Sequence, residues 1–204
     1  ADGSLSEQAM GRALSVLGEV AGLAEQAGVA SVGATATSAC RDASNGGSFL
    51  ARVGEVLGTV PRVVSGDEEA RLSFMGAVTG GIETFGPAWA DSLVASLEGP
   101  VLVVDIGGGS TELALGHLAG GTATFTASAS LQVGSVRFTE RYMHSDPPRP
   151  EELSDCLSVA EATLDEVLSV QPSFGSATPL VVVAGTAETI GAVELGRGEE
   201  RGLH

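Results

Sequence analysis

The sequence contains no lysine: all ten of its basic residues are arginine. This absence excludes three chemistries that need a lysine within the chain, namely a Walker A phosphate loop, a Schiff base to pyridoxal phosphate and a Ser–Lys dyad. Aromatic residues are also scarce, at 4 % of the 204 residues, so the core must consist of Ala, Val and Leu. Hydrophobic residues still make up 43 %, which excludes disorder for most of the chain.

Metal-binding and membrane signals are equally sparse. Cys40 and Cys156 are the only cysteines, and the three histidines are scattered, so a zinc site has no support from the sequence. The longest apolar runs, 101–104 and 180–184, are too short to span a bilayer, and the first residues lack a signal-peptide pattern. We therefore expect a cytoplasmic protein with unpaired core cysteines and no membrane partner.

Acidic residues outnumber basic ones by 26 to 10, which gives a formal net charge of −16. Nonspecific binding to nucleic acid depends on a basic field, so we expect no nucleic-acid partner. Solubility alone would account for the bulk acidity. An anionic ligand would need local help from arginines, backbone N–H groups or metal ions.

Predicted strands and helices interleave along the chain, which favours an α/β fold. Helical periodicity and turn signals separate them, with Asn45 a candidate N-cap for the second helix. Residues 79–99 are rich in glycine and predict a linker. The predicted strands are 30–38, 62–65, 101–105, 111–116, 122–133 and 181–184. The predicted helices are 6–28, 49–57, 67–78, 135–144, 150–169 and a short one that ends near 193.

The most specific segment is VLVVDIGGGSTELALG, residues 101–116. A buried strand ends at Asp105, three contiguous glycines form a tight turn, and Glu112 lies at the start of the next strand. Glycine tolerates positive φ and leaves backbone N–H groups open to a phosphate. A hairpin here would bring both carboxylates towards one mouth, where they could hold a metal ion. An ordinary glycine-rich hairpin has the same pattern, so the motif alone leaves both interpretations open.

Three further segments have weaker signals. SGDEEA (65–70) opens a helix with acids, which also suits the helix dipole without any function. AGTAETI (184–190) joins a strand to a helix N-terminus, a geometry suited to phosphate. ATATSACRDASNG (34–46) places an arginine just after a strand, although a lone arginine is usually solvated or paired with an acid.

Taken together, these blocks resemble the exopolyphosphatase / guanosine pentaphosphate phosphohydrolase (Ppx/GppA) family. The blocks are ATATSACRDASNGGSFL, VVSGDEEARLSFMG, VVDIGGGSTEL, LQVGSVRFTE and VVVAGTAETIGAV, and the resemblance covers about Val32 to Val193. It implies two ribonuclease-H-like domains of the actin-like superfamily with a cleft between them. It also implies removal of terminal phosphate from inorganic polyphosphate, with pppGpp left open as another substrate, and it leaves a homodimer open.

The resemblance implies roles for particular residues. Glu69 corresponds to the general base that activates the attacking water. Asp105 and Glu112 correspond to carboxylates that organise Mg²⁺ (or Mn²⁺) and water. The implied phosphate-binding residues are Arg41, Gly107, Gly108, Ser110, Gly185 and Thr186. Glu188 departs from the small or hydroxylated residue expected after the last of these, which weakens a nucleotide role for that turn.

One family element has no counterpart in the sequence. The first phosphate loop, of the type Asp-x-Gly-(Ser/Thr)-Asn-Ser, does not occur in residues 1–31. We therefore expect an internal piece of a longer family chain, with residues 1–72 as an incomplete first domain and 73–204 as the second. As written, this piece is expected to be inactive, because one of the two phosphate loops is missing.

Two other functions remain open at this stage. One is a sugar or acetate kinase of the same superfamily, against which the SGDEEA block speaks. The other is a polyphosphate- or alarmone-binding regulatory protein that keeps the cleft without turnover. Phosphate release separates both from a hydrolase.

Overall fold

The computed structural model describes residues 3–85, 99–119, 122–177 and 179–196. The chain divides into two compact units, Ala1–Ser65 and Gly66–His204. The division falls at the start of a helix, whereas the boundary predicted after residue 72 falls inside that helix. Both units combine helices with strands, so the predicted α/β class is confirmed.

The first unit contains three helices and one small sheet. Its strands pair in parallel, with Thr35 opposite Arg62. The predicted strand over 30–38 is thereby reduced to two residues, because its partner strand is equally short. In chain order the elements are α1 (Glu7–Gln26), β1 (Thr35–Ala36), α2 (Ser38–Asp42), α3 (Gly46–Leu57) and β2 (Arg62–Val63).

A small apolar cluster joins α1 to α3 through Met10, Phe49 and Val53. Asn45 immediately precedes α3, but its side chain makes no cap hydrogen bond. Its Oδ1 instead accepts from the Leu5 N–H at 2.8 Å, and its Nδ2 donates to the Leu5 carbonyl at 2.9 Å. The amide therefore ties the segment before α1 to the start of α3.

The second unit is built on a four-stranded sheet of order β5-β4-β3-β6. The β3–β4 and β4–β5 pairs are antiparallel, and β6 runs parallel to β3. The strands are β3 (Gly99–Ile106), β4 (Thr111–Ala119), β5 (Thr122–Leu131) and β6 (Leu180–Val183). The helices are α4 (Gly66–Phe85), α5 (Ser135–Tyr142), α6 (Pro150–Val170), a 3₁₀ turn (Pro172–Ser176) and α7 (Ala184–Glu194).

Both faces of this sheet are covered because its central strands are apolar on both sides. On one face, Phe74 and neighbouring residues of α4 pack on Val101 and Val103. On the other, Leu113 and Phe174 join a cluster that also contains apolar residues of α6. Opposite faces of β3 and β4 therefore contact different helices, and α4 defines the face that carries the site.

One sequence prediction needs correction in this region. Helix α4 continues through Phe85, so the predicted linker over 79–99 begins later than expected. Glycine lowers helix stability by only about 1 kcal/mol per residue relative to alanine, so Gly80 and Gly81 do not by themselves end the helix. The rest of that linker, 86–98, lies outside the described residues. Among the described helices, none is both long and apolar enough to cross a membrane.

Candidate functional site

The predicted hairpin is present, and it brings the two predicted metal-binding carboxylates together. Asp105 on β3 is the direct cross-strand partner of Glu112 on β4. Paired residues of antiparallel strands project from the same face of the sheet. That face is the one covered by α4, because Val103 and Ala114, each two residues from a carboxylate, pack in the α4 cluster. The two carboxylates therefore lie side by side on the face of the sheet that α4 covers.

Each of these carboxylates accepts a hydrogen bond from a serine. The Ser73 hydroxyl on α4 donates to Oδ2 of Asp105 at 2.5 Å. The Ser130 hydroxyl on β5 donates to Oε1 of Glu112 at 2.9 Å. Glu112 is only 1 % exposed, so this bond offsets part of the cost of burying its charge. The serines fix where the carboxylate oxygens lie.

Glu69 lies in the first part of α4, between two residues that contact the sheet. A Cβ on Gly66 would lie 2.5 Å from the Cβ of Ser130, so the helix begins directly against β5. Ser73 contacts β3. Glu69 is three residues after Gly66 and four before Ser73, so all three lie on one helix face. Its Oε2 is buried from solvent, consistent with a carboxylate directed at the sheet rather than outward.

The glycine turn is held by the start of α5. The turn closes on itself through a bond from the Gly107 N–H to the Ser110 carbonyl at 3.0 Å. The Gly107 carbonyl accepts from the Ser135 N–H at 3.1 Å, and the Gly108 carbonyl accepts from the Arg137 N–H at 2.9 Å. The carbonyls of Gly107 and Gly108 therefore point towards α5.

Gly107 and Gly108 do not serve to allow a positive φ, contrary to one reason given from the sequence. Gly107 and Gly108 both lack a φ in the left-handed region. Close packing is the reason instead: a Cβ on Gly108 would lie 3.2 Å from a methyl group of Val136. Gly134 approaches still closer, since its Cβ would lie 2.5 Å from the Gly108 carbonyl oxygen.

A cleft of about 550 Å³ joins the glycine turn to the segment after β6. The two phosphate-binding motifs predicted in this unit are thereby brought to one cavity. Thr186 also donates its hydroxyl hydrogen to the Ser135 hydroxyl at 3.3 Å, which links α7 to α5. The lining residues carry no charge: they are Ile106, Gly107, Gly108, Ser135, Ala184, Gly185, Thr186, Thr189 and Ile190.

Backbone strain marks the same cleft. Ala184 has a φ of +73°, a conformation that non-glycine residues rarely adopt. Such residues persist where the surrounding structure enforces them, and they concentrate at functional sites. The sequence pattern gave no sign of this strain, because alanine is an unremarkable residue after a strand.

Two predicted site residues are placed differently from the others. Ser110 closes the glycine turn through its carbonyl, and the residue as a whole is only 2 % exposed. Arg41 belongs to the first unit. There its Nη1 donates to the Val64 carbonyl at 2.9 Å, and its Nε lies 3.7 Å from the Asp42 carboxylate.

The carboxylates of the site suit one kind of metal ion better than another. Among the described residues, no group of three or more His, Cys, Asp or Glu side chains could hold one. Two carboxylates are too few for a structural zinc site, which takes four protein ligands. The Asp105–Glu112 pair fits Mg²⁺, which keeps several waters and needs only one or two carboxylates together with phosphate oxygens.

Four contributors to the site were not predicted from the sequence: Ser73, Ser130, Arg137 and Ala184. Each acts through a contact with a residue far along the chain or through backbone geometry. Ser73 is 32 residues from its partner and Ser130 is 18 residues from its partner. Only the order of strands and the path of α4 bring them together, and neither can be read from serine itself.

Comparison with known proteins gives a consistent result. A sequence model described as the Ppx/GppA phosphatase family matches residues 1–195. Exopolyphosphatase 2 of Mycobacterium tuberculosis is 35 % identical over 198 residues, which cover 95 % of this chain and 56 % of that protein. The chain therefore spans about half the length of the curated relatives that it matches.

Solved structures agree with the sequence matches. A crystal structure of an exopolyphosphatase-like protein has a TM-score of 0.82 and 34 % identity, and the match covers 95 % of this chain and 56 % of that one. The crystal structure of the Aquifex aeolicus member of the Ppx/GppA family has a TM-score of 0.59 and 31 % identity, with the same coverage of both chains.

Proposed function

The chain belongs to the Ppx/GppA phosphatase family, as its motifs predicted, and from this premise we propose that the protein hydrolyses terminal phosphoanhydride bonds. The substrate we propose is inorganic polyphosphate, from which orthophosphate is released. The observation that carries the proposal is the glycine turn, which lines a cleft together with the Gly185–Thr186 turn and follows directly on a paired carboxylate site. The similarity to an exopolyphosphatase supports the substrate class.

The glycine turn binds the terminal phosphate through its backbone. Because a trans peptide directs its carbonyl and its N–H in opposite directions, carbonyls that accept from α5 leave the following N–H groups on the far side of the turn. Successive N–H groups of this kind form an anion-binding concavity. Fixed donors also stabilise the charge that develops on phosphoryl oxygens, and each contributes roughly 10²–10³ in rate.

Glu69 accepts the proton of the attacking water in this proposal. The water oxygen forms a bond to the terminal phosphorus, the bridging P–O bond breaks, and the shortened polyphosphate leaves with its electron pair. The position of Glu69 on the α4 face that contacts the sheet and the burial of its Oε2 support this role. A positioned general base contributes about 10²–10⁴ in rate.

Asp105 and Glu112 are the residues that would hold Mg²⁺, with Mn²⁺ as a substitute. When bound, the ion supplies charge neutralisation at the transferred phosphoryl group. Asp105, half-buried at the end of β3, and Glu112, buried and bonded to Ser130, would hold the ion directly or through water.

Finer assignments follow from the same family relationship. We assign Arg41 to the phosphate chain of the substrate, and Gly185 with Thr186 to a phosphate or nucleotide group. We assign the two compact units to two actin-like domains. The resemblance leaves pppGpp as a second substrate, to be assayed in parallel with polyphosphate.

Substitution of Glu69 tests the proposed base. In the protein at its natural length, Glu69→Gln is expected to lower kcat about 10²–10⁴-fold while substrate binding is retained, because the amide cannot accept the proton. Glu140→Gln is the matched control, since Glu140 is an exposed carboxylate on α5. Activity of Glu69→Gln within about twofold of the parent would remove Glu69 from this role.

Substitution of Asp105 tests the metal site. Asp105→Asn is expected to shift the activity towards much higher Mg²⁺ concentrations, because a neutral amide is a poorer ligand for a hard cation. The measurement is orthophosphate release as a function of Mg²⁺ concentration. An unchanged titration curve would exclude Asp105 as a ligand.

A further inference from the structure

The start of α5 contacts the glycine turn through more than its backbone. Besides the N–H groups of Ser135 and Arg137, the side chain of Arg137 takes part: its Nε donates to the Gly109 carbonyl at 2.5 Å. Three consecutive carbonyls, those of residues 107 to 109, thus accept hydrogen bonds from one turn of helix. Two of these bonds come from Arg137 alone.

This arrangement determines which way three peptide groups face. In each trans peptide the N–H points opposite to the carbonyl that precedes it. With the carbonyls of Gly107, Gly108 and Gly109 directed at α5, the N–H groups of Gly108, Gly109 and Ser110 lie on the opposite side of the turn. Backbone N–H groups of α5 hold the first two of these carbonyls, and the Ser135 hydroxyl also reaches the first at 3.5 Å. The third is held by the side chain of Arg137.

We propose that Arg137 is a positioning residue, which orients the anion-binding N–H groups of the glycine turn by holding the Gly109 carbonyl. The inference rests on the proposed function of the turn as a phosphate site. In a chain with a net charge of −16, an arginine near a phosphate site would ordinarily be assigned to the phosphate itself. The geometry instead commits its Nε to the backbone of the turn.

Two substitutions separate the hydrogen bond from the charge. Glutamine carries its Nε2 on Cδ, the same atom that carries Nε in arginine, so Arg137→Gln keeps a donor near this position and loses the charge. Arg137→Met keeps a flexible apolar chain of similar reach and loses both. A positioning role predicts that the two variants differ, whereas a purely electrostatic role predicts that they do not.

The probe is inorganic triphosphate, and the protein is the full chain. Affinity is measured by calorimetry, and the amides of Gly108, Gly109 and Ser110 are followed by NMR after uniform ¹⁵N labelling. We expect Arg137→Met to weaken triphosphate binding about tenfold, since a lost hydrogen bond to a committed backbone group has this order of effect. We expect Arg137→Gln to remain within about threefold of the parent. We also expect the Ser110 amide, whose peptide carries the Gly109 carbonyl, to shift more on ligand addition in the parent than in Arg137→Met.

Arg141→Met is the matched control, because Arg141 lies one turn later on the same helix and is exposed. It makes the same change in net charge and is expected to leave affinity unchanged. Equal losses in Arg137→Gln and Arg137→Met would overturn the proposal in favour of charge. Equal affinity of Arg137→Met and parent, or a parent that does not bind triphosphate, would also overturn it.

The outcome is distinguishable from failure of the proposed function. If the variants bind triphosphate with the expected difference but the protein releases no orthophosphate, hydrolysis is refuted and the positioning role is kept. Hydrolysis of polyphosphate at equal rates by both Arg137 variants would keep the function and refute the role. Circular dichroism and thermal unfolding of each variant confirm that the fold is retained.

Discussion

Replacing Gly134 by alanine tests how tightly the glycine turn is held. The added Cβ would lie 2.5 Å from the Gly108 carbonyl oxygen, about 0.9 Å inside the 3.4 Å at which ordinary contact begins. It would also lie 2.6 Å from the carbonyl carbons of Gly108 and Gly109. These are backbone atoms, which cannot turn away as a side chain can, so either the turn or α5 must shift.

The loss in the free energy of unfolding comes from the close contact of the added Cβ and not from the backbone conformation at this position. Gly134 has φ −156° and ψ 152°, an extended conformation that alanine adopts freely. Overpacking against fixed atoms costs about 1–3 kcal/mol, and the lower entropy of the unfolded alanine chain offsets about 0.4–1 kcal/mol of this. We therefore expect Gly134→Ala to lower the free energy of unfolding by about 1–2 kcal/mol and to weaken triphosphate binding.

Urea unfolding and calorimetry measure the two effects. Gly76→Ala is the control, because Gly76 is exposed within α4 and its Cβ would meet nothing within 4 Å. That substitution should raise the free energy of unfolding by up to about 1 kcal/mol, as alanine is the better helix former. If Gly134→Ala proves as stable as the parent and binds triphosphate equally well, the close approach of α5 to the turn is refuted.

Two further predictions concern carboxylates. Ser130→Ala removes the hydroxyl that donates to the buried Glu112, so we expect a loss of about 1–3 kcal/mol in the free energy of unfolding; a loss below about 0.5 kcal/mol would show that the bond is dispensable. At the start of α6, the hydroxyl of Ser145 and the N–H of Arg149 donate to Glu152 and lower its pKa from the ordinary value of 4.5 to about 2. Because the native pKa lies below the unfolded one, the stability due to ionised Glu152 is complete above about pH 4.5 and lost as the pH falls towards 2. Glu152→Gln should therefore reduce the acid dependence of the melting temperature in that interval, and an unchanged dependence would contradict this interpretation.

The hairpin that carries the carboxylates could be predicted from the sequence because its signals are local. A continuous apolar run defines β3, alternation indicates β4, and contiguous glycines define the turn between them. Their spacing sets Asp105 opposite Glu112. The family motifs added the joint use of Gly107 and Gly185, which the shared cleft supports.

The remaining features depend on contacts that no local pattern encodes. The strand at 35–36 is short because β2 offers only two residues to pair with. Ser73 reaches Asp105, 32 residues away in the sequence, only because α4 packs on the sheet. The reason for glycine at position 134 likewise lies in another segment, the turn that it touches.

The hydrolysis of polyphosphate in ¹⁸O-labelled water with Mg²⁺ and ADP present tests the central claim most directly. If water is the nucleophile at the terminal phosphorus, each orthophosphate released by the protein at its natural length carries one ¹⁸O atom, and mass spectrometry detects it. Formation of ATP in place of orthophosphate would show a kinase of the same fold. Binding of polyphosphate with no orthophosphate released would show a protein without turnover, and either result would contradict the account.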